Sequence, residues 1–214
     1  MAPGEVFKSQ NPIYAVKMAK EFELKAHIAN YGAMKDLLEK KANFLWEFEK
    51  KDAYWTLVNS PMFPGPQFRL RREKLTFPDK SEKSTCLATY KTKEKMDGME
   101  INNEKEFEVI PASGQSENAF EEFLQAAGLK KGISKVKRGW AFSREDIKAE
   151  LCEIESLGWF IELEILVDDD TPDTGDSVRE NRDRLLKFLD SLGVEREAIE
   201  SRFYLEMLAL ARTL

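Results

Sequence analysis

Glu21-Phe22-Glu23-Leu24-Lys25 sets two carboxylates and an ammonium on one edge of a short segment, with two apolar side chains on the other. Side chains of a β-strand alternate faces, so positions i, i+2 and i+4 point the same way. The stretch therefore predicts a strand with one ionic and one apolar face. Two carboxylates side by side repel unless positive charge lies between them. A divalent cation meets that need, and Mg²⁺ typically takes one or two protein carboxylates plus phosphate oxygens.

The same design recurs along the chain. Arg69 and Arg71 flank Leu70; Lys91 and Lys93 share a parity with Leu87 and Thr89; Glu104, Glu106 and Glu108 alternate with Lys105, Phe107 and Val109. Further on, Lys135 and Lys137 flank Val136, Glu150 and Cys152 flank Leu151, and Glu162 and Glu164 alternate with Ile161, Leu163 and Ile165. An antiparallel sheet with one wet face produces such alternation routinely. Exposed strands, however, usually mix signs to avoid adjacent like charges, and these segments are nearly single-signed. So many ionic faces are accommodated most simply in a closed barrel. Charged faces would line a wet lumen, apolar faces would point outward under helices, and acidic strands would face basic ones across the channel. Such a channel would hold divalent cations on its acidic side and a polyanion on its basic side.

The 214-residue chain is long enough to bury a core, and its 42% apolar and 34% charged residues read as a globular protein with charge to spare. A formal net charge of −6 argues against a nucleic-acid partner. No apolar run approaches the roughly 18 residues of a membrane helix, so no membrane partner and a cytoplasmic setting are expected. Cys86 and Cys152 are the only cysteines and read as free thiols rather than a disulfide.

Strands are expected at about 20–29, 46–58, 67–75, 85–94, 104–110, 133–143, 147–155 and 159–167. Asn59-Ser60-Pro61, Pro64-Gly65-Pro66, Asp97-Gly98 and Gly158 mark turns. Helices are expected at about 31–44, 115–127, 176–191 and within 196–210. Residues 1–17 read as an N-terminal extension and 18–214 as a single domain. The fold class is thus α+β, a closed antiparallel barrel of about eight strands with helices on its outside.

The ordered series of motifs resembles the CYTH family, also called triphosphate tunnel metalloenzymes, which includes class IV adenylyl cyclases, thiamine triphosphatases and inorganic triphosphatases. The family's ExExK is matched by Glu21, Glu23 and Lys25, its arginine strand by Gln67-Phe68-Arg69-Leu70-Arg71-Arg72-Glu73, and its TyK strand by Thr89-Tyr90-Lys91. Its ExE strand is matched by Glu106-Phe107-Glu108, its KxR-like strand by Lys135-Val136-Lys137, and its LGxFxEIE stretch by Leu157-Gly158-Trp159-Phe160-Ile161-Glu162-Leu163-Glu164. The ending Arg202-Phe203-Tyr204-Leu205-Glu206-Met207-Leu208 is similar to the family's SYLELL. The resemblance runs in order from about residue 20 to 209. Three positions depart from it. Cys152 stands where an aspartate is usual, Lys137 where an arginine is common (with Arg138 next to it), and Glu104 where an arginine often precedes the ExE pair.

The resemblance implies a triphosphate-processing enzyme using Mg²⁺ or Mn²⁺. Glu21, Glu23, Glu162 and Glu164 would bind metal, with Glu106, Glu108 and Glu150 as further carboxylates. Lys25, Arg69, Arg71, Lys91, Lys135, Lys137 and Arg138 would clamp phosphate oxygens, and Glu21, Glu23 and Lys25 would form the catalytic group. Three functions follow: hydrolysis of inorganic, thiamine or nucleoside triphosphate; cyclisation of ATP to cyclic AMP and pyrophosphate; or polyphosphate binding without turnover. The partner is a small-molecule triphosphate, and a homodimer is compatible with the family.

Overall fold

A computed structural model describes residues 17–57, 67–96, 99–112, 114, 116, 118–168 and 175–212. Eight strands close into one barrel: β1 (Lys17–His27), β2 (Asn43–Leu57), β3 (Gln67–Thr76), β4 (Glu82–Met96), β5 (Met99–Glu108), β6 (Leu129–Arg144), β7 (Ile147–Ile154) and β8 (Gly158–Asp168). Their order around the barrel is β1-β5-β4-β3-β2-β6-β7-β8, and β8 pairs back onto β1. Every neighbouring pair is antiparallel. Closure leaves no free sheet edge, which suits strands whose two faces differ so sharply.

Four α-helices accompany the barrel: α1 (Tyr31–Lys41), α2 (Ala119–Ala126), α3 (Gly175–Ser191) and α4 (Tyr204–Ala211). The alternation in β1 sends Phe22, Leu24 and Ala26 outward. There they join Ile101, Leu151, Ile161, Leu163 and Ile165 in a core covered by Leu38 of α1 and by Val178, Leu185 and Leu189 of α3. On the other flank, Ala53, Trp55, Leu70 and Ala88 pack with Leu124 of α2. Burial of these apolar faces, at about 1.5–3 kcal/mol for each large side chain, is what drives closure.

The fourth helix does a different job. Its Tyr204 and Met207 pack on Phe48, Cys152 and Phe160, and its Leu205 and Leu208 pack on Tyr54. Those strand residues lie on the lumen side, so α4 closes one end of the barrel. β6 and β7 come very close at Gly139. A Cβ there would sit 2.0 Å from the Leu151 carbonyl oxygen and 2.8 Å from Cys152 Cα, so no larger residue fits.

The element boundaries expected from sequence need three corrections. The first helix stops at Lys41, because Asn43-Phe44-Leu45-Trp46 is already strand. The hairpin of β4 and β5 is longer than expected, running to Met96 and resuming at Met99; Asp97-Gly98 lie outside the described residues. The last helix is broken. A 3₁₀ turn at Arg196–Ala198 leads to an extended segment, in which Ile199 bridges Ala26 and the Glu200 N–H donates to the Lys25 carbonyl at 2.9 Å. The expected turns at 59–61 and 64–66 and residues 1–16 also lie outside the described residues. No helix among the described residues is long and apolar enough to cross a membrane. Cys86 and Cys152 form no disulfide.

Candidate functional site

The ionic faces converge. Glu21, Glu23, Arg69, Arg71, Lys91, Glu106, Lys135, Lys137, Glu150, Glu162 and Glu164 all line one cavity of about 360 Å³ inside the barrel. Strand order sorts them by sign. β8, β1 and β5 are consecutive and contribute Glu162, Glu164, Glu21, Glu23, Glu104 and Glu106. β4, β3, β2 and β6 are consecutive and contribute Lys91, Lys93, Arg69, Arg71, Lys50, Lys135 and Lys137, with Glu73 of β3 the lining carboxylate among them. An acidic arc thus faces a basic arc, and β7, with Lys148 and Glu150, joins the two. The lining comprises eight basic and eight acidic side chains, so the wall is close to neutral as a whole. Trp46, Leu87 and Leu166 line it away from α4, whose Tyr204 lines the closed end.

On the acidic side, Glu23 lies directly opposite Glu164 on β8 and Glu100 on β5. Like charges directly opposite one another repel. Glu23 accepts a hydrogen bond from Asn102 Nδ2 at 3.2 Å, Glu21 one from Lys91 Nζ at 3.0 Å, and Glu164 one from Lys148 Nζ at 3.2 Å. Burial pushes the Glu21 carboxyl up to about 7; Lys91 opposes this, while Glu164, Glu104 and Glu23 add to it. The cluster is short of positive charge.

That shortage is the test of whether a metal ion fits. The donors are hard carboxylate oxygens, the type that Mg²⁺ and Mn²⁺ prefer. Among the described residues, no group of three or more His, Cys, Asp or Glu side chains is arranged to hold a metal ion. A site that draws its remaining ligands from phosphate needs fewer. One or two of Glu21, Glu23 and Glu164 therefore fit a cation that brings its other ligands on a polyphosphate.

On the basic side, Asp52 receives Arg71 Nε at 2.7 Å and Nη2 at 2.9 Å, with Lys135 at 3.3 Å. Against the upward push of burial, Arg71 and Lys135 hold the Asp52 carboxyl well below its usual range. Arg69 Nη2 reaches Thr89 Oγ1 at 3.0 Å and Glu106 at 3.5 Å, while its Nε is buried without a partner. Burial lowers the pKa of Lys93, and Lys91 beside it lowers it further. These donors can grip an anion, by planar forks at the arginines and point charges at the lysines.

Three of the candidates named from sequence fall off the cavity wall. Arg138 lies on the outer face, where Nε donates to Glu49 at 2.7 Å; Lys135 and Lys137 occupy the inward parity, so no slip in register brings Arg138 inside. Glu108 ends β5 and is exposed, on a groove beside α2 rather than in the tunnel. Lys25 lies deeper, 1% exposed, paired with Glu100 and 5.3 Å from the Tyr204 ring centroid beneath α4.

Other lining residues carried no sequence signal. Lys50, Asp52 and Tyr54 of β2 face inward, but Glu47, Glu49 and Lys51 put charge on the opposite face as well, which hides the alternation. Lys148 and Glu100 lie next to expected candidates and share their parity, which is the clue that could have found them.

No protein-family model and no curated protein matches this chain. Solved structures do. The PH1819 protein of Pyrococcus horikoshii is 26% identical, with a TM-score of 0.72 over 88% of this chain and 98% of that one. A Vibrio parahaemolyticus protein described as an adenylate cyclase candidate is 16% identical, with a TM-score of 0.68 over 88% and 97%. Hippeastrum HpAC1, an adenylyl cyclase candidate described as having a dominant triphosphatase activity, is 15% identical, with a TM-score of 0.60 over 92% and 96%. With its closed eight-stranded barrel, the chain shares the fold of these proteins.

Proposed function

We propose that the tunnel binds a metal-complexed triphosphate and hydrolyses it. The observation that carries this reading is the acidic arc facing a basic arc within one closed barrel. A triphosphate carries about four negative charges near neutral pH, and burying an uncompensated charge costs several kcal/mol. The basic side chains of the wall are already matched by acidic ones, so the ligand brings cations of its own. This favours the metal complex over the free anion.

The chain's residues then have distinct tasks. Arg69 and Lys91 release Glu104 and Glu106 to meet phosphate oxygens, and the free Arg69 Nε supplies a further donor. Arg71 and Lys135 stay anchored on Asp52 and present their remaining donors to the lumen. Glu21, Glu23 and Glu164 would hold a divalent cation, which neutralises the phosphates and polarises the anhydride bond. α4 shuts one end, so water and substrate share the other. Positioning and electrostatic stabilisation supply most of the catalysis in phosphoryl transfer, and this wall provides both.

Cyclisation of ATP is the second reading, supported by the fold shared with the Vibrio and Hippeastrum proteins. Binding without turnover is the third, because fold alone does not carry an activity. Incubation with inorganic triphosphate, ATP or thiamine triphosphate, each with Mg²⁺ or Mn²⁺, separates them. Phosphate release supports hydrolysis, cyclic AMP with pyrophosphate supports the cyclase, and tight binding without product supports the module. No binding of any triphosphate sinks all three.

A further inference from the structure

The tunnel's carboxylates fall into two sets with opposite needs. Among the described residues Glu23 has no ammonium partner, and Glu21 and Glu164 have one each, Lys91 and Lys148. Glu150 and Glu162 have a surplus. Lys137 Nζ donates to Glu150 Oε2 at 2.6 Å and also to Glu162 Oε2. Glu150 Oε1 receives Lys50 at 2.7 Å and Lys148 at 3.0 Å. Both oxygens of Glu150 are therefore taken, by three ammonium groups. All of these side chains except Lys148 are at least seven-eighths buried.

Cys152 completes the contrast. It shares the inward parity of Glu150, one turn of the pleat along β7, and its Sγ donates to Glu162 Oε1 at 3.6 Å. Sulfur is a poor ligand for a hard cation. An ion entering between Glu150 and Glu162 would have to displace Lys137 and would meet Lys50 and Lys148 as well. Like charges at such distances, in a poorly solvated wall, repel one another strongly.

We propose that this tunnel takes one divalent cation rather than two, with the Lys137 ammonium filling the place between Glu150 and Glu162 that a second ion would need. The inference rests on the reading that the tunnel loads a metal–triphosphate complex. It assigns the cation to Glu21, Glu23 and Glu164 and gives Glu162 to the ion pair. Lys137 thus acts as a built-in counter-charge fixed in the fold, independent of metal supply.

Equilibrium dialysis tests this by counting Mn²⁺ bound per chain, alone and with an imido-bridged analogue of inorganic triphosphate. One Mn²⁺ per wild-type chain is expected, and Glu162→Gln should leave the Mn²⁺ Kd within about twofold. Lys137→Met should raise the count to two. Where Lys137→Met does not fold, the wild-type count and the Glu162→Gln affinity decide. Two Mn²⁺ per wild-type chain, or a tenfold or greater loss of affinity in Glu162→Gln, overturns the inference while leaving the metal–triphosphate reading intact. No Mn²⁺ retained under either condition overturns that reading and the inference with it.

Discussion

Glu23 on β1 lies directly across from Glu164 on β8, both on the lumen face, Glu23 held by the Asn102 amide and Glu164 by the Lys148 ammonium. The pair is a cost in the empty tunnel and an asset once a divalent ion arrives. Glu23→Gln combined with Glu164→Gln should therefore lower metal-dependent phosphate release by about 10² or more, the scale of losing one electrostatic stabiliser. The same double change should leave the melting temperature unchanged or higher, because it removes like-charge repulsion. Turnover assays and thermal unfolding on one preparation check both. Wild-type turnover in the double variant would remove these carboxylates from the mechanism.

The two arginines of β3 should separate binding from stability. Arg71 is committed to Asp52, whose side chain is fully buried. Arg71→Met strands that carboxylate with Lys135 alone and should destabilise the fold by about 3–5 kcal/mol, the cost of breaking a buried pair. Arg69 holds Glu104 and Glu106 at 3.7 and 3.5 Å and keeps Nε free. Arg69→Met should cost less stability but should weaken triphosphate binding tenfold or more. Urea unfolding beside calorimetric titration with the imido-bridged analogue measures the two. Equal losses of stability in both variants would contradict the division.

How much of this was legible in sequence follows from the physics of alternation. β1 and β8 set an ionic face against an apolar one, and the pairs Arg69/Arg71 and Lys135/Lys137 flank one apolar residue each, so the period of two showed which side chains point inward. Closure of the barrel followed from there being too many such faces for an open sheet. β2 carries charge on both faces, so Lys50, Asp52 and Tyr54 gave no contrast to read. The pairing of Lys137 with Glu150 and Glu162 joins three strands. Register between strands, not pattern within one, creates it. Arg138 illustrates the same limit, since only the pairing of β6 with β2 shows which of two adjacent basic residues faces in. The break before α4 depends on a contact with the end of β1 that no local signal announces.

That break gives a pH prediction. Glu200 accepts from Arg202 N at 2.8 Å, Arg202 Nε at 2.9 Å, Arg202 Nη2 at 2.6 Å and His27 Nε2 at 3.1 Å. The Arg202 side-chain bonds lead in holding its carboxyl at about 2, below the usual value. A folded-state pKa below the unfolded one means stability that is fully present above about pH 5. It is lost as pH falls through the unfolded value toward 2. Glu200→Gln should thus destabilise the protein at pH 7 and converge with wild type as the pH approaches 2. Denaturant unfolding at pH 7, 4 and 2.5 checks it; a difference independent of pH would show that the carboxylate charge is not what holds this segment.

Tyr204 offers the sharpest test of α4 as the closed end. Its ring meets Phe160 edge-on at 5.1 Å, and the Lys25 and Lys135 ammonium groups lie 5.3 and 5.1 Å from its centroid. Among the described residues its buried hydroxyl makes no well-formed hydrogen bond, although the Glu162 carboxylate stands beside it. A hydroxyl so placed contributes little net, so Tyr204→Phe should change stability by no more than about 1 kcal/mol. The ring is another matter. Tyr204→Ala removes an aromatic from the core, at about 3–5 kcal/mol, and uncovers Lys25 and Lys135 from the α4 side. The expected pattern is a melting temperature near that of wild type for Tyr204→Phe with triphosphate turnover retained, and a lowered one for Tyr204→Ala with water admitted to the lysines. Reaction of Lys25 with an amine-modifying reagent, followed by peptide mapping, reports that admission. Lys25 equally protected in Tyr204→Ala and wild type, under conditions where both remain folded, would mean that something other than this ring seals the tunnel.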